Sequence, residues 1–281
     1  MLHSAHSLKL VISDIDGTLL DDEGNLPNLN RQALEACKDR GIQTCLATGR
    51  RWTTCSKLLE RLELHSLIDF CILNNGMLVR EIANQKILFS QEFPLELVLE
   101  VTDHLQPLGL DPIVLGHNRD GHTKDVFHRH DCLMNGDFIA KNLEHQKKIK
   151  DWHELESEHL VELVFIGHKK DLEMAQNALS VLPVEMALLR NSFYKEYMLE
   201  ITPVAVSKWL GARKLFEHLG ISSEHTMTVG DSDNDYELLK NTELSFAVAN
   251  AEEKVIAISR HLTSENNLGG FGQAVFKILS D

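Results

Sequence analysis

The stretch Leu8-Lys-Leu-Val-Ile-Ser-Asp-Ile-Asp-Gly-Thr18 decides the fold of this 281-residue chain. Its first half is a short apolar run rich in strand-forming residues, and its second half carries two carboxylates and a glycine. An apolar run that ends in turn residues predicts a buried β-strand leading into a loop. Polar residues in such a loop point to a ligand site, because open α/β sheets bind their ligands beyond the carboxyl ends of the strands.

Segments with strand and helix patterns alternate after this stretch. Helical spacing over Asn30–Arg40 is followed by an apolar strand pattern over Ile42–Ala47, and the pair repeats over Trp52–Leu62 and Phe70–Leu73. This alternation is typical of a parallel α/β sheet. Asn75-Gly76 then stands between two apolar runs, which predicts a hairpin.

The pattern changes in the middle of the chain. Between residues 84 and 196, helical stretches mix with strands, and none of the strand ends is rich in carboxylates. Alternation resumes with a strand pattern over Tyr197–Ile201. We therefore predict a discontinuous core with a doubly wound parallel sheet, residues 1–83 and 197–281, and an inserted α+β domain at 84–196.

Composition excludes several classes of protein. The 28 basic residues against 42 acidic residues give a net charge of −14, which argues against a mainly electrostatic nucleic-acid binder. The longest apolar runs fall well short of the roughly 18 residues of a membrane span, and Met1–Ser7 lacks the cationic start of a secretory signal. The five cysteines include no C-x-x-C pair, which suits reduced thiols. We expect a soluble, cytoplasmic protein without nucleic-acid or membrane partners.

The first candidate motif is the pair Asp14 and Asp16 after the first strand. Residues two apart in an extended segment point to the same side. Two neighbouring carboxylates repel each other unless a cation lies between them, and Mg²⁺ takes oxygen ligands of this kind. The alternative is a solvated acidic turn.

The second candidate motif is Gly230-Asp-Ser-Asp-Asn-Asp235, again after an apolar strand. An EF-hand that starts at Asp231 needs glycine at its sixth place and glutamate at its twelfth, but Tyr236 and Thr242 stand there. A helix cap is the other alternative, and it is compatible with metal binding. The motif therefore supplies further candidate carboxylate ligands.

Two weaker motifs suggest phosphate. Thr48-Gly49-Arg50 offers a hydroxyl and backbone N–H groups at a strand end, although such residues are also ordinary in loops. Lys208 stands at a predicted helix start, where the helix dipole disfavours a cation; the alternative is a solvated surface lysine. Together the four motifs suit metal-assisted phosphoryl transfer. The sequence has neither a G-x-x-x-x-G-K-[ST] nor a G-x-G-x-x-G motif.

These motifs, in this order and with a large insert between the second and third, resemble those of the haloacid dehalogenase superfamily of phosphatases. Ala47-Thr-Gly-Arg50 and Asn75-Gly76 resemble its Cof-type branch, subfamily IIB. The resemblance implies a Rossmann-like core with a C2B-type cap domain. It also implies a Mg²⁺-dependent phosphoric monoester hydrolase, a monomer or homodimer, acting on a small phosphorylated metabolite such as a sugar phosphate. A phosphomutase and a catalytically silent metabolite binder remain alternatives.

The resemblance also implies roles for individual residues. Asp14 is the expected nucleophile, which forms an aspartyl phosphate, and Asp16 the expected general acid and base. The expected Mg²⁺ ligands are Asp14, the backbone carbonyl of Asp16 and Asp231, with Asp235 in support. The expected phosphate-binding and pocket residues are Thr48, Gly49, Lys208 and Asn234. The sequence departs from the family pattern at Ala205 and Trp209, where glycines are usual.

A histidine-rich stretch lies in the insert, with His117, His122, His128 and His130. His128-x-His130 could chelate zinc if both rings pointed to one side, but the spacing fits no standard structural zinc pattern. A loop that faces an anionic substrate and a plain surface loop are the other interpretations.

Overall fold

The computed structural model describes residues 8–117, 124–129, 136–190 and 197–280. The strands in these residues are β1 (Leu10–Ser13), β2 (Gln43–Ala47), β3 (Phe70–Leu73), β4 (Leu78–Glu81), β5 (Ile87–Ser90), β6 (Ile113–Gly116), β7 (Val126–His128), β8 (Gln146–Lys148), β9 (Leu160–Gly167), β10 (Val184–Arg190), β11 (Tyr197–Pro203), β12 (Thr226–Gly230), β13 (Leu244–Ala247) and β14 (His261–Leu262). The helices are α1 (Asn28–Asp39), α2 (Trp52–Arg61), α3 (Leu95–Leu105), α4 (Gly136–Lys141), α5 (Lys169–Leu179), α6 (Lys208–Leu219), α7 (Tyr236–Lys240), α8 (Glu253–Ile258) and α9 (Gly270–Leu279).

The chain divides into two compact units, Met1–Ser90 with Ser207–Asp281, and Gln91–Val206. The first unit contains an eight-stranded sheet in the order β14-β13-β12-β1-β2-β3-β4-β5. Its strands from β14 to β3 are parallel, and β4 and β5 extend it as an antiparallel hairpin. The predicted parallel sheet and the predicted hairpin at Asn75-Gly76 are both confirmed.

The central strands of this sheet are buried on both faces. Every residue of β1 is buried, and alternate residues enter different cores. Val11 packs in a cluster with Leu34 of α1 and Phe271 of α9, whereas Ile12 packs in a cluster that includes Leu215 of α6. Helices therefore cover both faces, which explains why the strand is continuously apolar in the sequence.

The second unit contains a six-stranded sheet in the order β10-β11-β9-β6-β7-β8. Its pairs are antiparallel except β7 with β8. Helices α3 and α5 belong to its hydrophobic core, in which Val101 and Leu172 are fully buried together with Phe165 of β9. This mixed sheet with its helices has the α+β character predicted for the insert.

Strands β5 and β11 each belong to a different unit from the one that the sequence pattern predicted. Strand β11, which the sequence pattern assigned to the core, pairs with β9 and β10 in the second unit. Its residues Leu199 and Ile201 are fully buried there, and this packing fixes its place. Conversely, β5 pairs with β4 in the first sheet, although it falls inside the predicted insert. No helix among the described residues is long and apolar enough to span a membrane.

Candidate active site

The loops after β1 and β12 bring three carboxylates together. β1 and β12 are parallel neighbours, and the Asp14 N–H donates to the Val229 carbonyl at 3.0 Å. The carboxyl ends of both strands therefore meet at one edge of the sheet. Carboxylate oxygens of Asp14, Asp231 and Asp235 lie within 4.8 Å of one another. The structure thus joins the first and second sequence motifs, which are more than two hundred residues apart.

Gly17 allows the first loop to approach the second. It adopts a φ of +80°, a conformation that costs glycine little. A Cβ atom at this position would lie 2.8 Å from Oδ2 of Asp231, which is closer than carbon and oxygen atoms pack. The next residue, Thr18, donates from Oγ1 to Oδ1 of Asp231 at 2.7 Å. The Asp-Gly-Thr sequence therefore serves to hold Asp231 beside Asp14.

Lys208 lies under these carboxylates. Its side chain is fully buried, and its Nζ donates to Oδ1 of Asp14 at 2.5 Å and to Oδ1 of Asp235 at 2.7 Å. Lys208 is the first residue of α6, and Ser207 caps that helix by accepting the Leu210 N–H at 3.1 Å. The interpretation of Lys208 as a solvated surface residue is therefore wrong. The carboxylates explain why a cation is stable at a helix start.

Gly76 lets α6 begin at this place. A Cβ atom on Gly76 would lie 1.9 Å from the carbonyl oxygen of Ser207. Only a residue without a side chain therefore permits the hairpin turn to touch the start of the helix. The Asn75-Gly76 signal in the sequence thus positions Lys208 as well as the hairpin.

The charges in the cluster do not balance. One ammonium group, Lys208, contacts two of the three carboxylates, so two negative charges are uncompensated when all three are ionised. Burial, and then the neighbouring carboxylates against the opposing pull of Lys208, raise the pKa of Asp14 well above its usual value. Burial also raises the pKa of Asp231 to about 6, although the hydrogen bond from Thr18 opposes this. Burial lowers the pKa of Lys208, but Asp14 and Asp235 outweigh it and leave that pKa raised.

These residues fit a divalent cation. Two uncompensated negative charges and oxygen ligands are the properties that Mg²⁺ sites share. Asp235 is already engaged, because its Oδ1 accepts from Lys208 and its Oδ2 accepts the N–H groups of Asp231 at 3.1 Å and Ser232 at 3.2 Å. Asp235 therefore suits the orientation of the loop, whereas Asp14 and Asp231 suit direct coordination of the metal.

Asp16 takes a different position from the one expected. Its carboxylate is paired with the guanidinium of Arg50, with Nε to Oδ2 at 2.7 Å and a terminal nitrogen to Oδ1 at 2.6 Å. The chain begins a tight turn at Ile15, so the two-residue periodicity of a strand does not continue to Asp16. In this structure the Asp16 carboxylate therefore lies against Arg50 and is not part of the Asp14, Asp231 and Asp235 group. Arg50 supplies the positive charge that Asp16 needs.

A cavity of about 280 Å³ opens beside Asp14 and Asp16. It is lined by Asp14, Asp16, Thr48, Gly49, Arg50, Ser232 and Asn234. Thr48 accepts the Arg50 N–H on its Oγ1 at 3.1 Å, and Asn234 donates from Nδ2 to Oδ1 of Asn75 at 3.1 Å. All the predicted phosphate-binding residues except Lys208 thus share one cavity with the two candidate catalytic aspartates.

Three residues at the site were not among the predicted site residues. Arg50 belongs to the motif Thr-Gly-Arg and Thr18 to the motif Asp-Gly-Thr, so membership of these motifs was the sequence signal that could have identified them as site residues. Asn75 adopts a left-handed φ of 52° in a turn that the sequence indicated only as a hairpin.

Of the histidine-rich stretch, His122 and His130 lie outside the described residues. His128 is buried and hydrogen-bonds through Nε2 to Oε1 of Gln146 at 2.5 Å.

Comparison with known proteins agrees with this geometry. The model of the haloacid dehalogenase-like hydrolases matches residues 11–275, and the chain belongs to this family. A 5-amino-6-(5-phospho-D-ribitylamino)uracil phosphatase of Bacillus subtilis (strain 168) is 27% identical over 270 residues, covering 95% of this chain and 94% of the relative. The family resemblance is therefore confirmed, and the predicted phosphatase class agrees with the activity in the relative's name.

Solved structures share the fold. A haloacid dehalogenase-like hydrolase from Bacteroides thetaiotaomicron superposes with a TM-score of 0.80 at 21% identity, covering 96% of this chain and 99% of that one. A subclass IIB sugar phosphatase of the same superfamily superposes with a TM-score of 0.74 at 22% identity, covering 96% and 99%. The predicted fold class, a parallel core sheet with a second α+β part, is confirmed.

Proposed function

We propose that the chain is a Mg²⁺-dependent phosphatase that releases inorganic phosphate from a small phosphorylated metabolite through an aspartyl phosphate. One observation carries this proposal. The buried Asp14, with Lys208 and Asp231 beside it, opens onto the same cavity as Asp16. A phosphate ester bound in that cavity would have the proposed nucleophile and the proposed proton donor within reach, which supports the proposal.

Mg²⁺ fits the carboxylates that the two loops bring together. Asp14 and Asp231 would hold it, Asp235 would orient the loop, and the family resemblance adds the backbone carbonyl of Asp16. When bound, the ion supplies positive charge that stabilises the transferring phosphoryl group. The protein supplies the remaining steps.

Asp14 performs the first step. One of its carboxylate oxygens forms a bond to phosphorus while the bond from phosphorus to the substrate oxygen breaks. Lys208 fixes the orientation of Asp14 through the 2.5 Å contact and keeps its charge partly balanced. A point charge held in this way is preorganised, so no reorganisation is needed during the reaction.

Asp16 moves the protons. In the first half-reaction, the neutral carboxylic acid of Asp16 gives its proton to the departing alcohol oxygen and becomes a carboxylate. Arg50 is in position to pair with that carboxylate form, with contacts of 2.6 and 2.7 Å. In the second half-reaction, Asp16 takes a proton from the water that attacks the phosphorus. The acyl phosphate bond breaks, Asp14 is regenerated, and inorganic phosphate leaves.

The cavity walls bind the phosphoryl oxygens. Thr48 offers a hydroxyl, Gly49 a backbone N–H, and Asn234 a side-chain amide, all lining the same cavity. These neutral donors add hydrogen bonds to the phosphoryl oxygens without adding charge to the cavity. The substrate in the name of the B. subtilis relative contains a phosphorylated ribityl chain, and the solved subclass IIB structure is that of a sugar phosphatase. We therefore propose a phosphorylated sugar or polyol as the substrate class.

A cytoplasmic location is proposed together with this activity. Cys37, Cys45, Cys55 and Cys71 are all free, buried thiols in the structure, which is compatible with a reducing compartment. The prediction of a monomer or homodimer stays a prediction.

The experiment is phosphate release from a panel of phosphorylated sugars, polyols, nucleotides and cofactors, with Mg²⁺ and with EDTA. The Asp14→Asn variant is run beside the wild type, and Asp39→Asn, an exposed aspartate at the end of α1, serves as the matched control. We expect release that needs Mg²⁺, persists in Asp39→Asn and is lost in Asp14→Asn. Release by Asp14→Asn at the wild-type rate contradicts the proposal. Turnover that appears only after priming with a sugar bisphosphate identifies a phosphomutase instead.

A further inference from the structure

A second group of metal-type ligands lies far from the carboxylates in the sequence and wholly within the second unit. Glu92 precedes α3, His117 follows β6 directly, and His159 directly precedes β9. One ligand atom from each of these residues lies within 4.8 Å of the other two. Two imidazoles with one carboxylate form a donor set that suits transition metals, whereas Mg²⁺ prefers oxygen ligands alone.

Backbone contacts hold the three segments together. The N–H of His117 donates to the carbonyl oxygen of His159 at 2.8 Å, and the N–H of Phe93, next to Glu92, donates to the carbonyl oxygen of Leu160 at 2.6 Å. Gly116 permits the close approach of two of these segments, since a Cβ there would lie 3.1 Å from that same His159 oxygen. The three side chains therefore start from a fixed backbone frame, as a preorganised metal site requires.

The side-chain atoms converge on one place. His159 Nδ1 lies 2.6 Å from Oε1 of Glu92, and His117 Nε2 lies 3.8 Å from the same oxygen. The two imidazole rings are stacked, with centroids 5.0 Å apart and planes inclined by 15°, so one ring must turn about its side-chain torsions for both nitrogens to point at the same ion. Ligands at about 2.0–2.2 Å from a tetrahedral zinc ion stand roughly 3.3–3.5 Å apart. The His117 distance of 3.8 Å is near this value, and the His159 distance of 2.6 Å must lengthen by roughly 0.7–0.9 Å to admit an ion between the two ligand atoms.

Burial is uneven around the cluster. The His117 side chain is 1% exposed, whereas those of Glu92 and His159 are 39% and 34% exposed. The group is therefore anchored on one side and accessible on the other. An ion can enter from solvent, and water can fill a fourth coordination position, as in zinc sites with three protein ligands.

We propose that Glu92, His117 and His159 form a binding site for a divalent transition metal, with Zn²⁺ as the fitting ion. The site is independent of the proposed phosphatase function, because none of its ligands belongs to the unit that holds Asp14. The site is separate from the His128-x-His130 pair, of which His128 is hydrogen-bonded to Gln146 and His130 lies outside the described residues. One ligand atom from each residue lies within 4.8 Å of the others, although the residues are widely separated in sequence.

The test is equilibrium dialysis of the full chain, treated first with a chelator, against Zn²⁺ in the presence of excess Mg²⁺ to occupy the carboxylate site. We expect one tightly bound Zn²⁺, and at least about a ten-fold loss of affinity in His159→Ala and in Glu92→Gln, because each removes one ligand. Both residues are partly exposed, so these variants should fold even if the buried His117→Ala does not. His153→Ala is the matched control: His153 also contacts a carboxylate, Asp151, at 2.6 Å, but it is not part of a three-ligand group in the described residues.

The visible absorption of bound Co²⁺ is a second measurement, and it reports which kinds of ligand coordinate the ion. Tetrahedral coordination that includes imidazole produces visible absorption bands far stronger than those of Co²⁺ bound by oxygen in an octahedron. We expect these bands in the wild type and in His153→Ala, and their loss in His159→Ala. Equal Zn²⁺ affinity in the wild type, His159→Ala and Glu92→Gln overturns the proposal, and so does Zn²⁺ uptake that only Asp14→Asn removes.

Discussion

Replacement of Lys208 by methionine is the sharpest perturbation of the candidate active site. Methionine keeps much of the length of the side chain and removes only its charge and its hydrogen bonds. The variant therefore leaves three carboxylates in the cluster with no cation of the protein to face them. It tests whether Lys208 holds Asp14 in place or simply fills space in the core.

The magnitude follows from the two contacts of Lys208. Nζ lies 2.5 Å from Asp14 and 2.7 Å from Asp235, so each pair attracts with about 6 kcal/mol at an effective dielectric constant of 20. Desolvation of the buried ions offsets most of this, and removal of one partner from a buried pair costs about 3–5 kcal/mol. A loss of about 4 kcal/mol lowers the Tm by roughly 8–16 °C for a chain of this size.

The assay combines thermal unfolding with phosphate release. Lys214→Met is the matched control, because Lys214 is on the same helix and its Nζ contacts Glu217 at 2.8 Å on the surface. A surface pair of this kind contributes about 0–1 kcal/mol, so the control should keep both its Tm and its activity. We expect Lys208→Met to lose about 10²–10³ in kcat as well, as enzymes do when a preorganised electrostatic group is removed. A Lys208→Met protein with the Tm and turnover of the control refutes the reasoning.

Three further predictions concern other parts of the chain. Asp16→Asn should lose about 10²–10⁴ in kcat with a stability change under about 1 kcal/mol, because its pair with Arg50 is partly exposed; a large drop in Tm contradicts this. Ala205→Gly should stabilise by about 0.5 kcal/mol in urea unfolding, because Ala205 has a φ of 64° and its strain exceeds the entropy cost of glycine; Ala178→Gly, inside α5, should destabilise instead. Burial raises the pKa of Glu200 from 4.5 to about 6, so the folded state binds its proton more tightly and stability falls by roughly 2 kcal/mol as the pH rises from 4.5 through 6. Glu200→Gln should remove this decrease in stability, and a variant whose stability depends on pH as the wild type's does contradicts the prediction.

The central strands could be predicted from the sequence because they are buried on both faces. β1 appears as an almost continuous apolar run and β12 as a short run of β-formers, and the carboxylates that follow them therefore stand out. Strand β11 could not be assigned to its sheet in this way. Its buried residues Leu199 and Ile201 alternate with less buried ones, as they do in a strand of either unit. Its partner is decided by the register with β9, a long-range contact that local pattern does not contain.

The residues of the candidate active site likewise divide into those that local sequence predicts and those that depend on long-range contacts. The carboxylates at positions 14 and 231 could be predicted, because each follows a recognisable strand. The burial of Lys208 could not, because its partner Asp14 stands 194 residues away and the local sequence resembles an ordinary helix start. The pairing of Asp16 with Arg50 depends on a tight turn that breaks the strand periodicity. The sequence singled out the histidine-rich stretch that contains His117, but it could not identify Glu92 and His159 as neighbours of His117, because they belong to separate segments.

The order of strands in the first sheet has a consequence for synthesis on the ribosome. β1 lies in the middle of that sheet, and its residue Leu10 pairs with Thr226. At about 5–20 residues per second, roughly 10–40 s pass between the two strands. Residues 91–206 are all made in this interval, so the second unit can fold while one edge of β1 still waits for its partner. Such an unpaired edge is a place where nascent chains associate. The carboxylates of the candidate active site meet only when most of the chain has left the ribosome, and this site is therefore among the last parts of the molecule to form.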